Sequence, residues 1–212
     1  MGEDGYLDRA YDEGDSAQTH QLYAEWADSY DGELTEHGYA TPTRVADAVL
    51  ALGVETTAKI VDLGCGTGLS GLALQAAGYT SIDGCDYSGE MLDVAEATGA
   101  YSVLDEVDLN AAPISYGTDT YDAATIVGVF GFGHVDPAAL DEAIRIVRPG
   151  GHIVIGVNEK FYAGSDLAAR IERTEAAGAI AGVVSEMGDH IPGYGVAGWV
   201  ITMRVEGSDT RV

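Results

Sequence analysis

Apolar and polar positions change their period along this chain. In THQLYAEWADSYD, Thr19 to Asp31, the residues Leu22, Tyr23, Trp26, Ala27 and Tyr30 recur at helical spacing on one face. TPTRVADAVLALG repeats that period as a second helix, with Thr41 expected to cap it, Pro42 suited to its first turn and Gly53 to its end. Short apolar runs then alternate with helical segments. Lys59–Leu63 predicts a strand, Leu69–Ala77 a helix, Ser81–Asp86 a second strand, and Ser88 caps a helix reaching about Thr98. A weaker strand is expected around Tyr101–Val107, and Thr125–Val129 is an apolar one. Asp136-Pro137 opens the next helix, and RPGGHIVIGVN turns at Pro149-Gly150-Gly151 into a strand. Asp166–Ala177 predicts a helix; Ala179–Glu186 and Trp199–Val205 predict two strands joined by a glycine-rich loop.

Strands that alternate with helices build a parallel sheet covered on both faces. The last two strands have no helix between them, so they are expected as an antiparallel hairpin at one edge. The prediction is therefore a doubly wound α/β fold with a mostly parallel seven-stranded sheet. One domain spans residues 19–212, and its helices over 19–53 form a lid. The eighteen residues before it, MGEDGYLDRAYDEGDSAQ, are acidic and aperiodic and read as a flexible tail.

Charge changes the list of partners. The chain of 212 residues carries 35 acidic against 10 basic residues, a formal charge of −25, and its only lysines are Lys59 and Lys160. Nucleic acid and anionic membranes would be repelled by such a surface. No apolar segment is long enough to span a bilayer, and no leader or lipidation signal is visible, so a cytoplasmic enzyme is the expected class. Cys65 and Cys85 offer neither a disulfide framework nor zinc spacing, and no metal site is expected.

The chemistry concentrates in VDLGCGTGLSG, Val61 to Gly71. Gly66 to Gly71 satisfies the literal G-x-G-x-x-G of a dinucleotide-binding turn. Asp62, however, sets a carboxylate at the end of the strand, where a diphosphate would be repelled and a ligand with ammonium and sulfonium groups attracted. Glycines serve either ligand, because the backbone must turn sharply and approach closely. Asp86 supplies an acid for ribose hydroxyls and fits both cofactors.

The segment Val61 to Gly68, with Asp86 and Met91 in GCDYSGEML, resembles the first two motifs of class I S-adenosylmethionine-dependent methyltransferases. LYAEWADSYDGELTEHGYATP, TYDAATIVGVFGFGHV and RPGGHIVIGVN extend the likeness to the Williams–Beuren-region methyltransferase group and its bacterial relatives. The resemblance implies a Rossmann-like domain that binds S-adenosylmethionine. It implies that Asp62, Gly64, Cys65, Gly66, Thr67 and Gly68 line the methionyl part. Asp86 would grip the ribose with Tyr87 beside it, Met91 would pack on the adenine, and Asp108 and Leu109 would lie near its amine. Tyr23, Trp26 and Tyr30 would close over the cofactor.

Methyl transfer from a sulfonium needs alignment, desolvation and sometimes a base. His134, in the Gly131-Phe132-Gly133-His134 turn, is the candidate catalytic base, since imidazole titrates near neutrality. Asn158, His190 and Tyr194 are secondary candidates for orienting or covering an acceptor. The segment VGVFGFG lacks the Asn/Asp-Pro-Pro-aromatic motif of DNA amino-methyltransferases and the Pro-Cys of cytosine-carbon enzymes. A small-molecule acceptor methylated on O, N or S is thus expected. The alternatives are a non-catalytic S-adenosylmethionine-binding protein and a nicotinamide-dependent oxidoreductase.

Overall fold

The computed structural model describes Gly32, residues 34–131 and residues 135–207. The acidic tail and the helix expected over Thr19 to Asp31 lie outside the described residues, as do Phe132, Gly133 and His134. In chain order the elements are α1 (Thr41–Ala51), β1 (Ile60–Leu63), α2 (Leu69–Ala76), β2 (Ile82–Asp86), α3 (Gly89–Thr98), β3 (Val103–Glu106) and β4 (Tyr121–Val127). They continue with α4 (Ala139–Ile146), β5 (Val147–Asn158), α5 (Glu159–Gly164), α6 (Leu167–Ala176), β6 (Ile180–Ile191) and β7 (Val196–Val205).

The seven strands form one sheet in the order β3-β2-β1-β4-β5-β7-β6. Strands β1 to β5 run parallel, while β7 is antiparallel to both β5 and β6. The predicted fold class is the observed one. The order reverses between β1 and β4, so the crevice beyond their carboxyl ends is the place where such sheets bind ligands.

Alternation along the strands divides the core into two layers. Ile60, Ala123, Val154 and Val200 pack with Val45, Val49 and Leu74 from α1 and α2. Their strand neighbours Val61, Ala124, Ile153, Ile155 and Ile201 pack with Leu140, Phe161, Leu167 and Ile171 from the helices of the opposite face. Each such valine, leucine, isoleucine or phenylalanine side chain taken fully out of water contributes about 1.5–3 kcal/mol. Buried strands of this kind need apolar residues on both sides, which is why IVDL and HIVIGV read as near-continuous apolar runs.

Several boundaries differ from the sequence expectation, each for a physical reason. Strand β4 begins at Tyr121, earlier than its apolar run suggests, because Asp122 is accommodated at its start. The Asp122 Oδ2 accepts from the Lys59 amide at 2.7 Å, and Oδ1 pairs with Arg148. The 'glycine-rich loop' near the C-terminus is mostly strand: β6 and β7 extend until only a turn at Pro192–Tyr194 and Gly195 separates them. Gly188 faces Gly198 across that pair. A Cβ on Gly188 would stand 2.8 Å from the Arg44 guanidinium, and one on Gly198 would stand 2.9 Å from the Cβ of His190. These glycines clear space for packing rather than breaking the strands.

Thr41 does not cap α1; Ala40 precedes the helix without a side-chain cap. The Thr41 hydroxyl instead meets His190 Nδ1 at 2.7 Å. Arg44, one turn on, donates to the carbonyls of Asp189 at 2.9 Å, Gly198 at 3.1 Å and Glu186 at 3.0 Å. The first helix is thereby fastened to the last hairpin.

Candidate functional site

The loop after β1 is shaped by its backbone bonds to β2. The amides of Gly64 and Cys65 both donate to the carbonyl of Cys85 at 2.8 Å, and the Gly68 amide closes back on the Cys65 carbonyl at 2.9 Å. Gly64 has a φ of +73°, a conformation costly for any residue with a Cβ, and a Cβ there would run into the Val129 side chain. Gly68, at φ +98°, precedes the first turn of α2.

Asp86, at the end of β2, links the loop to the next helix. Its Oδ2 accepts from the Gly66 amide at 2.9 Å and its Oδ1 from the Ser88 amide at 3.0 Å. Both carboxylate oxygens thus hold backbone amides of the two turns. Ser88 caps α3 as expected, its hydroxyl accepting from the Met91 amide at 3.3 Å.

A cavity of about 320 Å³ opens over this loop. Gly64, Cys65, Gly66 and Thr67 form its floor, and Asp86, Tyr87, Met91, Asp108 and Leu109 line one side. All of these were expected at the site, and the fold brings them together. Asp62 and Gly68 stand behind the floor rather than in the wall. Further lining, not anticipated as a unit, comes from Tyr39 and Pro42 ahead of β1 and from Val127, Gly128, Val129 and Val135 around the end of β4. Tyr23, Trp26, Tyr30 and the base candidate His134 lie outside the described residues.

Asp62 is fully buried, and its environment revises the simple electrostatic expectation. Three hydroxyls enclose it: Ser70, Tyr101 donating at 2.8 Å, and Thr125 donating at 2.7 Å. Burial pushes its carboxyl above the usual range, against the opposing effect of the three donors. Asp62 therefore ties α2, β4 and the segment leading into β3 together next to the loop. Strand pairing explains the cluster, because Asp62 is aligned with Gly84 on one side and Thr125 on the other. Ser70, one residue inside α2, reaches the same carboxylate from above.

The third glycine of the literal G-x-G-x-x-G is accounted for here. A Cβ on Gly71 would run into the Tyr101 ring, and one on Gly84 would lie 2.8 Å from it. The Gly71 amide donates to the Tyr101 hydroxyl at 3.0 Å. Gly71 thus accommodates a tyrosine and is absent from the cavity wall. The lone glycine inside the buried strand IDGCD was the available signal for this close approach.

The secondary candidates resolve differently. Asn158 caps α5, accepting from the Phe161 amide at 2.9 Å, and is occupied in that role. His190 is buried with 4% exposure behind Tyr39, whose ring meets it edge-on at 5.2 Å. Tyr194 packs against His37 at 4.4 Å. The two thiols are buried: desolvation holds Cys65 strongly protonated and pushes Cys85 up to about 12. Among the described residues, no group of His, Cys, Asp and Glu could hold a metal ion.

The wall tests which cofactor fits. Asp86 and Asp108 are its ionisable carboxylates, and no lysine, arginine or histidine lines it among the described residues. A diphosphate would find no compensating cation, whereas an adenosyl ligand with ammonium and sulfonium charges meets acids of opposite sign. The left-handed glycine at 64 and the Asp86 carboxylate suit a nucleoside with an amino-acid tail lying across the loop. S-adenosylmethionine is that ligand.

Comparisons with known proteins agree with this reading. Residues 60–151 match the methyltransferase domain family Methyltransf_25. The chain is 32% identical over 176 residues to Methyltransferase-like protein 27 of Homo sapiens, a match covering 81% of this chain and 71% of that protein. It is 38% identical over 108 residues to demethylmenaquinone methyltransferase of Bacillus licheniformis, covering 49% of this chain and 46% of that one. The chain thus spans less than half the length of that second relative. Among solved structures, the [4+2]-cyclase SpnF superposes with a TM-score of 0.68 at 17% identity, covering 92% of this chain and 98% of that one, a likeness of fold alone. With the acid-lined glycine loop and the extent of the first match, the chain belongs to the methyltransferase-like protein 27 family of class I S-adenosylmethionine-dependent methyltransferases.

Proposed function

We propose that the chain transfers the methyl group of S-adenosylmethionine to an oxygen, nitrogen or sulfur atom of a small molecule. The observation carrying this reading is the apolar share of the cavity lining, to which Pro42, Val127, Val129 and Val135 contribute. An acceptor that shares a pocket of this size must be small, and mostly apolar pockets with a few polar groups suit small ligands. The charge of −25 opposes a nucleic-acid acceptor. A match to a demethylmenaquinone methyltransferase, whose named acceptor is a small molecule, supports the size of the acceptor and not the atom methylated. No helix among the described residues is long and apolar enough to cross a membrane.

The cofactor, when bound, supplies an activated methyl on a sulfonium leaving group. The residues of the chain then bind, orient and exclude water. Asp86 would accept from ribose hydroxyls. Asp108 and Leu109 would hold the adenine with Met91 and Tyr87, and Gly64 to Thr67 would hold the methionyl part. Tyr23, Trp26 and Tyr30, which lie outside the described residues, would cover it. His134, which follows β4 in the sequence, would take a proton from the acceptor.

Titration calorimetry with S-adenosylmethionine, its demethylated product and NAD tests the cofactor. Binding of the first two without NAD is expected, and NAD binding alone would reject the assignment. Labelled cofactor with a library of phenols, amines, thiols and quinols tests the acceptor class. Product from that library is expected, and His134→Ala should lower turnover while leaving cofactor affinity intact. Cofactor binding without product from any acceptor would favour a binding protein over an enzyme.

A further inference from the structure

We infer that Tyr39 is the acceptor-binding residue of the cavity, its hydroxyl holding a neutral acceptor through a polar atom beside the one that is methylated. The inference deepens the small-molecule transfer proposed above and rests on it.

Tyr39, half-buried in the cavity lining, is fixed from three directions. Its amide donates to the Leu34 carbonyl at 2.9 Å, and the next amide, that of Ala40, donates to the His190 carbonyl at 2.9 Å. Its ring meets the His190 imidazole edge-on at 5.2 Å, and that buried imidazole is itself bonded through Nδ1 to the Thr41 hydroxyl at 2.7 Å. Its hydroxyl lies over Gly128, just past β4, where a Cβ would stand 2.6 Å from the phenol oxygen. The next residue, Val129, fills the space beside Gly64. The hydroxyl therefore stands by the strand end that adjoins the floor assigned to the methionyl part.

Around it the lining is apolar. Tyr39, Pro42, Val127, Gly128, Val129 and Val135 bring one polar side-chain group between them, the Tyr39 hydroxyl. The carboxylates assigned to the cofactor, Asp86 and Asp108, come from the ends of β2 and β3.

In methyl transfer the accepting lone pair bonds to carbon as the carbon–sulfur bond breaks, so that lone pair must lie in line with the breaking bond. The acceptor's proton leaves to a base or to water. A side chain donating to the same lone pair would compete with the methyl group. A hydroxyl therefore orients the acceptor best through a neighbouring atom, which it can serve as donor or acceptor. The two carboxylates oppose an anionic acceptor. In apolar surroundings one such bond discriminates, because an analogue without the partner atom forfeits it.

Tyr39→Phe keeps the ring against His190 and removes only the hydroxyl. Full-chain wild type and variant are compared on acceptor pairs that differ in one polar group: catechol and phenol, 1,2-diaminobenzene and aniline, 2-hydroxythiophenol and thiophenol. Wild type should favour the first member of a pair. The variant should lose about three- to tenfold in kcat/KM on that member, the worth of one neutral hydrogen bond, mainly through KM. The second member should be unaffected, and calorimetric affinity for S-adenosylmethionine should stay within about threefold. Equal losses on both members would make Tyr39 a packing residue and overturn the inference. So would unchanged kinetics, a collapse of cofactor affinity, or wild type that methylates no member of any pair. Cofactor binding without product from the wider acceptor library would reject the parent reading itself.

Discussion

Glycines serve two ends of the sheet in different ways. In the loop after β1, Gly64 adopts a left-handed conformation and the residues around it form the cavity floor. In the β6–β7 hairpin, Gly188 and Gly198 are ordinary strand residues whose missing side chains admit Arg44 from α1 and, from the paired strand itself, His190. The first use is local and leaves its mark as spacing. The second is tertiary and leaves a sequence that resembles a loop. Identical residues thus carry opposite meanings, and only the partner that fills the vacancy tells them apart.

Substitutions can break this contrast. Gly64→Ala should have the largest effect. Left-handed strain of about 1–2 kcal/mol adds to overpacking against Val129 of about 1–3 kcal/mol. Thermal unfolding should register the loss, and calorimetry should find cofactor binding severely reduced. Asp86→Ala comes next, removing charge-assisted bonds worth about 1.5–3 kcal/mol each. Cofactor affinity should fall accordingly, and a folded variant of unchanged affinity would refute the ribose role.

Gly198→Ala probes the other region. Its methyl would stand 2.8 Å from the Val157 carbonyl and 2.9 Å from the His190 Cβ, a crowding worth about 1–3 kcal/mol of stability. Being remote from the floor, it should leave cofactor affinity within about threefold. A collapse of affinity would show that the two regions are not independent.

The smallest effect under ordinary conditions is the pH dependence of the hairpin. Desolvation, with the Arg44 charge second, depresses the His190 imidazole from 6.5 to about 4. The unfolded chain therefore takes up that proton first as pH falls. The associated stability is present above pH 6.5 and is lost progressively down to about pH 4, amounting to about 3 kcal/mol in all. Denaturant midpoints between pH 7 and pH 4 should track it, and His190→Gln should flatten that part of the profile.

The parallel sheet and its antiparallel edge were legible because buried strands advertise themselves as apolar runs. The floor and the Asp86 side of the site were legible because a loop joining adjacent strands fixes their spacing. What escaped the sequence depends on contacts made across long separations. Asp62 reads as a strand-end charge facing a ligand, yet Tyr101 and Thr125, thirty-nine and sixty-three residues away, enclose it. Tyr39 and Pro42 reach the cavity because α1 is held on β5, β6 and β7. Thr41 reads as a cap, but His190 claims its hydroxyl.

That last attachment makes one amide a natural reporter. The Ala40 N–H donates to the His190 carbonyl at 2.9 Å, across 150 residues of sequence. Its deuterium uptake measures how often the first helix and the final strands part company, and hence how often the wall around Tyr39 comes undone. An acceptor lodged against that wall would slow the exchange even in the absence of turnover, which offers a way to screen for the missing substrate before any product is seen.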